Sequence, residues 1–167
     1  PPTVEGRFMG HAGVDAIAQG LADAYWGNGM RVAIGERRGI AKLHLDLRRG
    51  DGPPGARRYN FAALTTTQRL VDEQPQIAAG AVRAVAKAQK ALKAQPSLAT
   101  AIAERLFPPE ETPLIAELIA RDAPFYDATI SPEAIDGLNG FAQSAGLIAE
   151  AVPYDRLVAA QFRQLWR

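Results

Sequence analysis

Cysteine is absent from all 167 residues. That excludes a disulfide framework, a thiolate metal site and a cysteine nucleophile, and it is compatible with any redox compartment. Histidine is scarce. His11 and His44 are the only two, and neither lies in a spacing that suits a metal ion or an activated nucleophile. The chain has no Gly-x-Ser-x-Gly elbow, no phosphate-binding glycine loop and no His-Glu-x-x-His pair. Without such sets it is expected not to be an enzyme, to need no cofactor and to hold no metal. No apolar run approaches the length of a membrane span. Charge of one sign is also missing: 19 Lys and Arg stand against 18 Asp and Glu, a net charge of +1. No dense basic run carries interleaved aromatics, so a nucleic-acid partner is not expected. The opening Pro1-Pro2 is followed by no basic region and no apolar signal core, which is the pattern of a mature or trimmed segment.

What remains is an ordinary globular composition, 47% hydrophobic and 22% charged, sized for one domain or for one large lobe and part of another. Residues 13–29 are the most informative stretch. Val14, Ile17 and Leu21 share one helical face with Gly20 as the stop. Residues 22–26, Ala-Asp-Ala-Tyr-Trp, then form a short apolar run that predicts a buried strand. In an open α/β sheet, ligands sit just beyond strand carboxyl ends, where Trp26, Gly27, Asn28 and Gly29 would lie. A plain glycine turn is the competing reading of the same residues.

Further along, residues 30–38 predict a helix with Gly39 as its left-handed cap. Residues 42–47 alternate strictly, predicting a strand with Leu43, Leu45 and Leu47 on one face and Lys42, His44 and Asp46 on the other. Residues 48–58 are a Gly/Pro-rich loop containing Arg49-Gly50-Asp51, a tripeptide too short to carry an adhesion reading. Residues 59–65 predict a third strand. Everything after Thr67 reads as helix. Ile77, Ala81, Val82, Val85, Ala88 and Leu92 form one stripe opposite Arg83, Lys87 and Lys90, a basic face expected to be solvated. Leu98, Ile102 and Leu106 are expected inward on the next helix. Ser131-Pro132-Glu133 starts a later helix with Ile135, Leu138, Phe141, Ala142 and Ala145 on its buried side, and Pro153 opens the last.

The order of these pieces resembles a known family. Gly20-Leu21-Ala22-Asp23-Ala24 leads into a strand at the cleft. Thr65-Thr66-Thr67 ends a later strand, and Glu73-Gln74-Pro75 precedes a long Ala/Val-rich helix over 77–92. Residues 125–148, FYDATISPEAIDGLNGFAQSAGLI, resemble the family's late region. Together they resemble the later half of the periplasmic solute-binding proteins of ABC importers, in the class that takes up nitrate, alkanesulfonates, taurine and thiamine-precursor pyrimidines. That resemblance implies an α/β fold, with a small sheet in residues 1–66, a helix-rich part over 67–167 and the first lobe absent. It implies capture of a small molecule by hinge closure, delivery to an ABC permease, and a place in the periplasm or at the outer face of the cytoplasmic membrane. A surface left bare by the missing lobe implies a homo-oligomer. An enzyme of thiamine-pyrimidine synthesis and a regulatory ligand-binding module are the alternatives that the same resemblance implies. The family's Trp-acidic-Pro step is replaced here by Trp26-Gly27-Asn28-Gly29, so ligand chemistry does not carry across closely.

Capture of a small anion calls for an aromatic surface, hydroxyls and backbone N–H groups. Trp26 can stack, and Asn28 with the N–H groups of Gly27 and Gly29 can donate. Thr65 and Thr66 form a second edge, with one threonine of the 65–67 run expected as an N-cap. Arg31 is the candidate counter-charge. Trp26 reads equally as a core residue, and a residue such as Arg31 is more often a solvated side chain than a ligand clamp.

Overall fold

The computed structural model describes residues 3–7, 12–52 and 62–167. Helical residues make up 60% of it, and among the described residues there is no strand and no sheet. The α/β expectation is therefore corrected to an all-helical fold. Residues 22–26 and 41–46 lie outside any helix but pair with no other strand. Alternation favours an extended backbone, yet a strand exists only when a second one takes up its ladder hydrogen bonds. The backbone N–H of Asp46 goes instead to the side chain of Asp51, at 2.9 Å. The chain then curls into a 3₁₀ turn over Leu47–Arg49. Of the third predicted strand, 59–61 lie outside the described residues and 62–65 are exposed and unpaired.

The chain divides into two units that interleave along the sequence, Pro1–His44 with Pro96–Arg121, and Leu45–Gln95 with Asp122–Arg167. In the first, α1 (Gly13–Ala18) and α2 (Gly29–Arg37) end in the same way. Gly20 and Gly39 take φ of +69° and +66°. The following N–H groups, of Leu21 and Ile40, reach back to Ala16 and Gly35 at 2.8 and 3.0 Å. This double closure satisfies carbonyls that the last turn leaves orphaned, and it needs a residue without a Cβ penalty. Asn28 starts α2 by accepting the Arg31 N–H at 3.1 Å.

α5 (Leu98–Leu106) and α6 (Thr112–Asp122, all but its last residue) complete this unit. α5 is turned relative to its expected phase. Ala99 and Ala103 are buried, whereas Leu98, Ile102 and Leu106 are exposed, the last to 72%. Alanines let a helix pack closely, and here they take the seam that the larger aliphatics were expected to fill.

In the second unit, Thr67 caps α3 (Gln68–Glu73) by accepting the Leu70 N–H at 3.2 Å. Pro75 then occupies the first turn of α4 (Pro75–Ala94), where its missing N–H costs nothing. Val71, Ala78, Ala79 and Phe162 form a small core, with Leu70, Val82, Ala159 and Leu165 packed around it. The expected α4 stripe is only half met, because Ile77 and Val85 are exposed and the contact is made by alanines. Ser131 caps α7 (Pro132–Ser144) through the Ala134 N–H at 3.2 Å. Ile135 is buried on α7 but Phe141 is 61% exposed.

The segment after α7 is held by side chains rather than by a ladder. Buried Asn139 donates to the Val152 carbonyl at 2.9 Å and accepts from its N–H at 3.0 Å. The Tyr154 hydroxyl donates to the Ile130 carbonyl at 2.6 Å. Past α8 (Tyr154–Leu157), a 3₁₀ segment over Ala160–Leu165 brings in Phe162. No helix among the described residues is long and apolar enough to cross a membrane.

Candidate functional site

The elbow before α2 separates two neighbouring aromatics. Tyr25 turns inward, its hydroxyl donating to the Arg31 carbonyl at 2.8 Å. Its side chain lies so close to three glycines that an added Cβ would meet the ring at 3.1 Å from Gly13 and 2.7 Å from Gly27, and the hydroxyl at 2.9 Å from Gly35. Burial, with help from the Glu36 carboxylate and against the Arg31 guanidinium, raises the Tyr25 phenol above its ordinary value. Trp26 turns outward and is 77% exposed, so the core reading of this residue is excluded and a surface aromatic remains. With no sheet among the described residues there is no strand end for it to crown, and the strand-end rule no longer places a ligand at residues 26–29.

The other candidates have defined local roles. The Asn28 side-chain oxygen is occupied by capping α2, and Gly27 makes room for Tyr25. Arg31 is paired with Glu111 at 3.4 Å. Glu111 is 8% exposed, a carboxylate that would be costly to bury alone. Arg31 is thus committed to an ion pair joining α2 to the turn before α6. Thr65 and Thr66 belong to the second unit and are exposed just ahead of the Thr67 cap. His44 is exposed, and His11 lies outside the described residues. Asp51 is held by Arg49 at 3.1 Å and by the Asp46 N–H. The backbone hydrogen bond, opposed by partial desolvation and helped by Arg49, lowers its carboxyl below the usual range. Both ends of Arg49-Gly50-Asp51 therefore engage each other. Among the described residues no group of three or more His, Asp or Glu could hold a metal ion.

An open groove of about 330 Å³ runs between α2 and α6 inside the first unit, lined by Ala33, Glu36, Arg37, Leu114, Glu117, Leu118 and Arg121. Leu114, Glu117, Leu118 and Arg121 fall at i, i+3, i+4 and i+7, so one face of α6 supplies both the apolar floor and half of the charges. Ala33, Glu36 and Arg37 repeat the pattern on α2. The volume falls at the lower end of the range for small-molecule sites.

Models of known families, curated proteins and solved structures all return no match to this chain.

None of the groove residues was among the sequence candidates for a site. Their spacing is visible in the sequence, but it is the spacing of any amphipathic helix. Only the approach of two helices some eighty residues apart gives it meaning.

Proposed function

We propose that this chain captures a small solute without transforming it, serving as the binding component of an import system that passes the solute to an ABC permease at the outer face of the cytoplasmic membrane. The observation that carries this reading is the α2–α6 groove: an apolar floor of Ala33, Leu114 and Leu118 rimmed by two guanidiniums, Arg37 and Arg121, and two carboxylates, Glu36 and Glu117. Its volume, at the lower end of the range for small-molecule sites, suits a small solute. The order of sequence motifs supports the same class of function.

Among the solutes implied by that resemblance, the mixed rim favours an aminosulfonate of the taurine kind. Its sulfonate is complementary to the planar guanidinium fork, and its ammonium to the carboxylates. Nitrate or a simple alkanesulfonate would meet Glu36 and Glu117 with no cation to offer them, at a cost in specificity.

Thermal unfolding in the presence of taurine, an alkanesulfonate, nitrate and a thiamine-precursor pyrimidine tests the proposal. A captured solute raises stability by mass action, by about 2.7 kcal/mol at a concentration one hundredfold above Kd. Taurine is expected to give the largest shift, and Glu117→Gln to reduce it. No shift with any of the four would overturn the capture reading.

A further inference from the structure

We propose that the exposed side of α4 is a docking face for an anionic lipid surface. The observation is a charge pattern with no internal answer. From Gln74 to Ala103 the chain contains no acidic residue, while Arg83, Lys87, Lys90 and Lys93 all lie on α4. Arg83, Lys87 and Lys90 follow at i, i+4 and i+7 and share one face, with Lys93 at its edge. All four side chains are exposed, and among the described residues none enters an ion pair.

Beside this cationic strip lies a second exposed strip that is apolar. Ile77, Ala84 and Ala88, at i, i+7 and i+11, share it, and Val85 borders it. The buried direction of α4 is different again, carried by Ala78, Ala79 and Val82 against Val71 and Phe162. The helix therefore has three sides: one packed, one cationic and one apolar, the last two both open to solvent and adjacent. At twenty residues it is about 30 Å long.

A lipid surface uses both open sides at once. Shallow apolar side chains enter the headgroup boundary while lysine and arginine stems extend along it and keep their charges at the phosphates. A nucleic acid would use only the cations, and α4 presents no aromatic to stack on a base. The lipid headgroup is the occupant that matches the whole pattern. This face belongs to the second unit and does not depend on the groove of the first.

Co-sedimentation of the full chain with phosphatidylglycerol-containing vesicles, against vesicles of phosphatidylcholine alone, tests the proposal. Binding to the anionic vesicles is expected, falling as salt is raised. Each cation removed should weaken partition roughly fivefold. Lys87→Gln with Lys90→Gln should therefore weaken it roughly 25-fold on the same scale, with the helical circular dichroism unchanged because both side chains are exposed and unpaired. Val85→Gln should weaken binding without altering its salt dependence. Equal binding to both vesicle types, no binding to either, or an intact affinity in the double lysine variant would each overturn the proposal. So would preferential binding of an oligonucleotide that is indifferent to Val85→Gln.

Discussion

The hydroxyl of Tyr25 donates a 2.8 Å hydrogen bond to the carbonyl of Arg31, six residues along the chain. The bond ties the non-helical segment before α2 to the helix that follows it. The tyrosine ring reaches that position only because Gly13, Gly27 and Gly35 leave room for it. Tyr25→Phe should cost about 1 kcal/mol, the net worth of one such bond. Gly27→Ala should cost about 2 kcal/mol, because a well-packed ring must shift. Urea midpoints measured by circular dichroism check both, with Gly6→Ala, where an added Cβ meets nothing within 4 Å, as the neutral control.

Tyr25 also sets an alkaline limit. Its phenol titrates above the ordinary value in the folded chain, so the stability it contributes is fully present below about pH 10, its unfolded value, and is lost as pH rises through the folded value. Tyr126 is raised too, by burial and by the Asp122 carboxylate. Ultraviolet titration of tyrosinate should show late-ionising phenols in the native chain, fewer of them in Tyr25→Phe, and a flatter alkaline limb of stability in that variant.

The Arg31–Glu111 pair is asymmetric. Glu111 is buried while Arg31 keeps about a third of its side chain in water. Arg31→Ala strands a buried carboxylate and is expected to cost about 2 kcal/mol, a buried-pair figure discounted for the exposure of the arginine. Glu111→Gln, which strands no buried charge, should cost less. The two single variants and the double variant form a cycle. If the double variant is no better than the sum of the singles, the pair is not coupled.

Asn139 stands in for a missing strand. It makes both hydrogen bonds to Val152 that a neighbouring backbone would make. Asn139→Ala leaves a part-buried N–H and carbonyl without partners and should cost about 2–3 kcal/mol. Hydrogen exchange localises the effect: the amide of Val152 should lose protection well before those of α2.

On α5 the usual ranking of substitutions is inverted. Ile102→Lys, at a site 58% exposed, should change stability by no more than about 0.5 kcal/mol. Ala103→Leu, at a site 1% exposed, should overpack the interior and cost about 2 kcal/mol. Thermal melts of the two variants decide it.

That inversion shows where the sequence was readable. Helix ends were legible because their signals are local: Thr67 and Ser131 as caps, Pro75 in a first turn, and Gly39 in a left-handed closure. The phase of α5 was not, because Leu98, Ile102 and Leu106 stand next to Ala99 and Ala103 on the helix. Periodicity cannot say whether the large or the small residues take the seam. Tyr25 and Trp26 posed the same problem at one residue's resolution. The alternation at 42–47 implied a strand, but a strand depends on a pairing partner elsewhere, and none is present among the described residues. Of the site, the Ala33–Arg37 and Leu114–Arg121 faces were written in the sequence, but their meeting was not.

The interleaving of the two units bears on how the chain is made. Emerging from a ribosome, the polypeptide completes the first 44 residues of one unit and then spells out 51 residues of the other (45–95). Only afterwards does it release α5 and α6, up to residue 121. The groove, and the carboxylate that pairs with Arg31, thus become available only after the intervening segment of the other unit has been made. Until then α2 waits with its partner face exposed. Neither unit can be obtained by cutting the chain once. A stand-alone first unit requires residues 44 and 96 to be joined by a designed bridge.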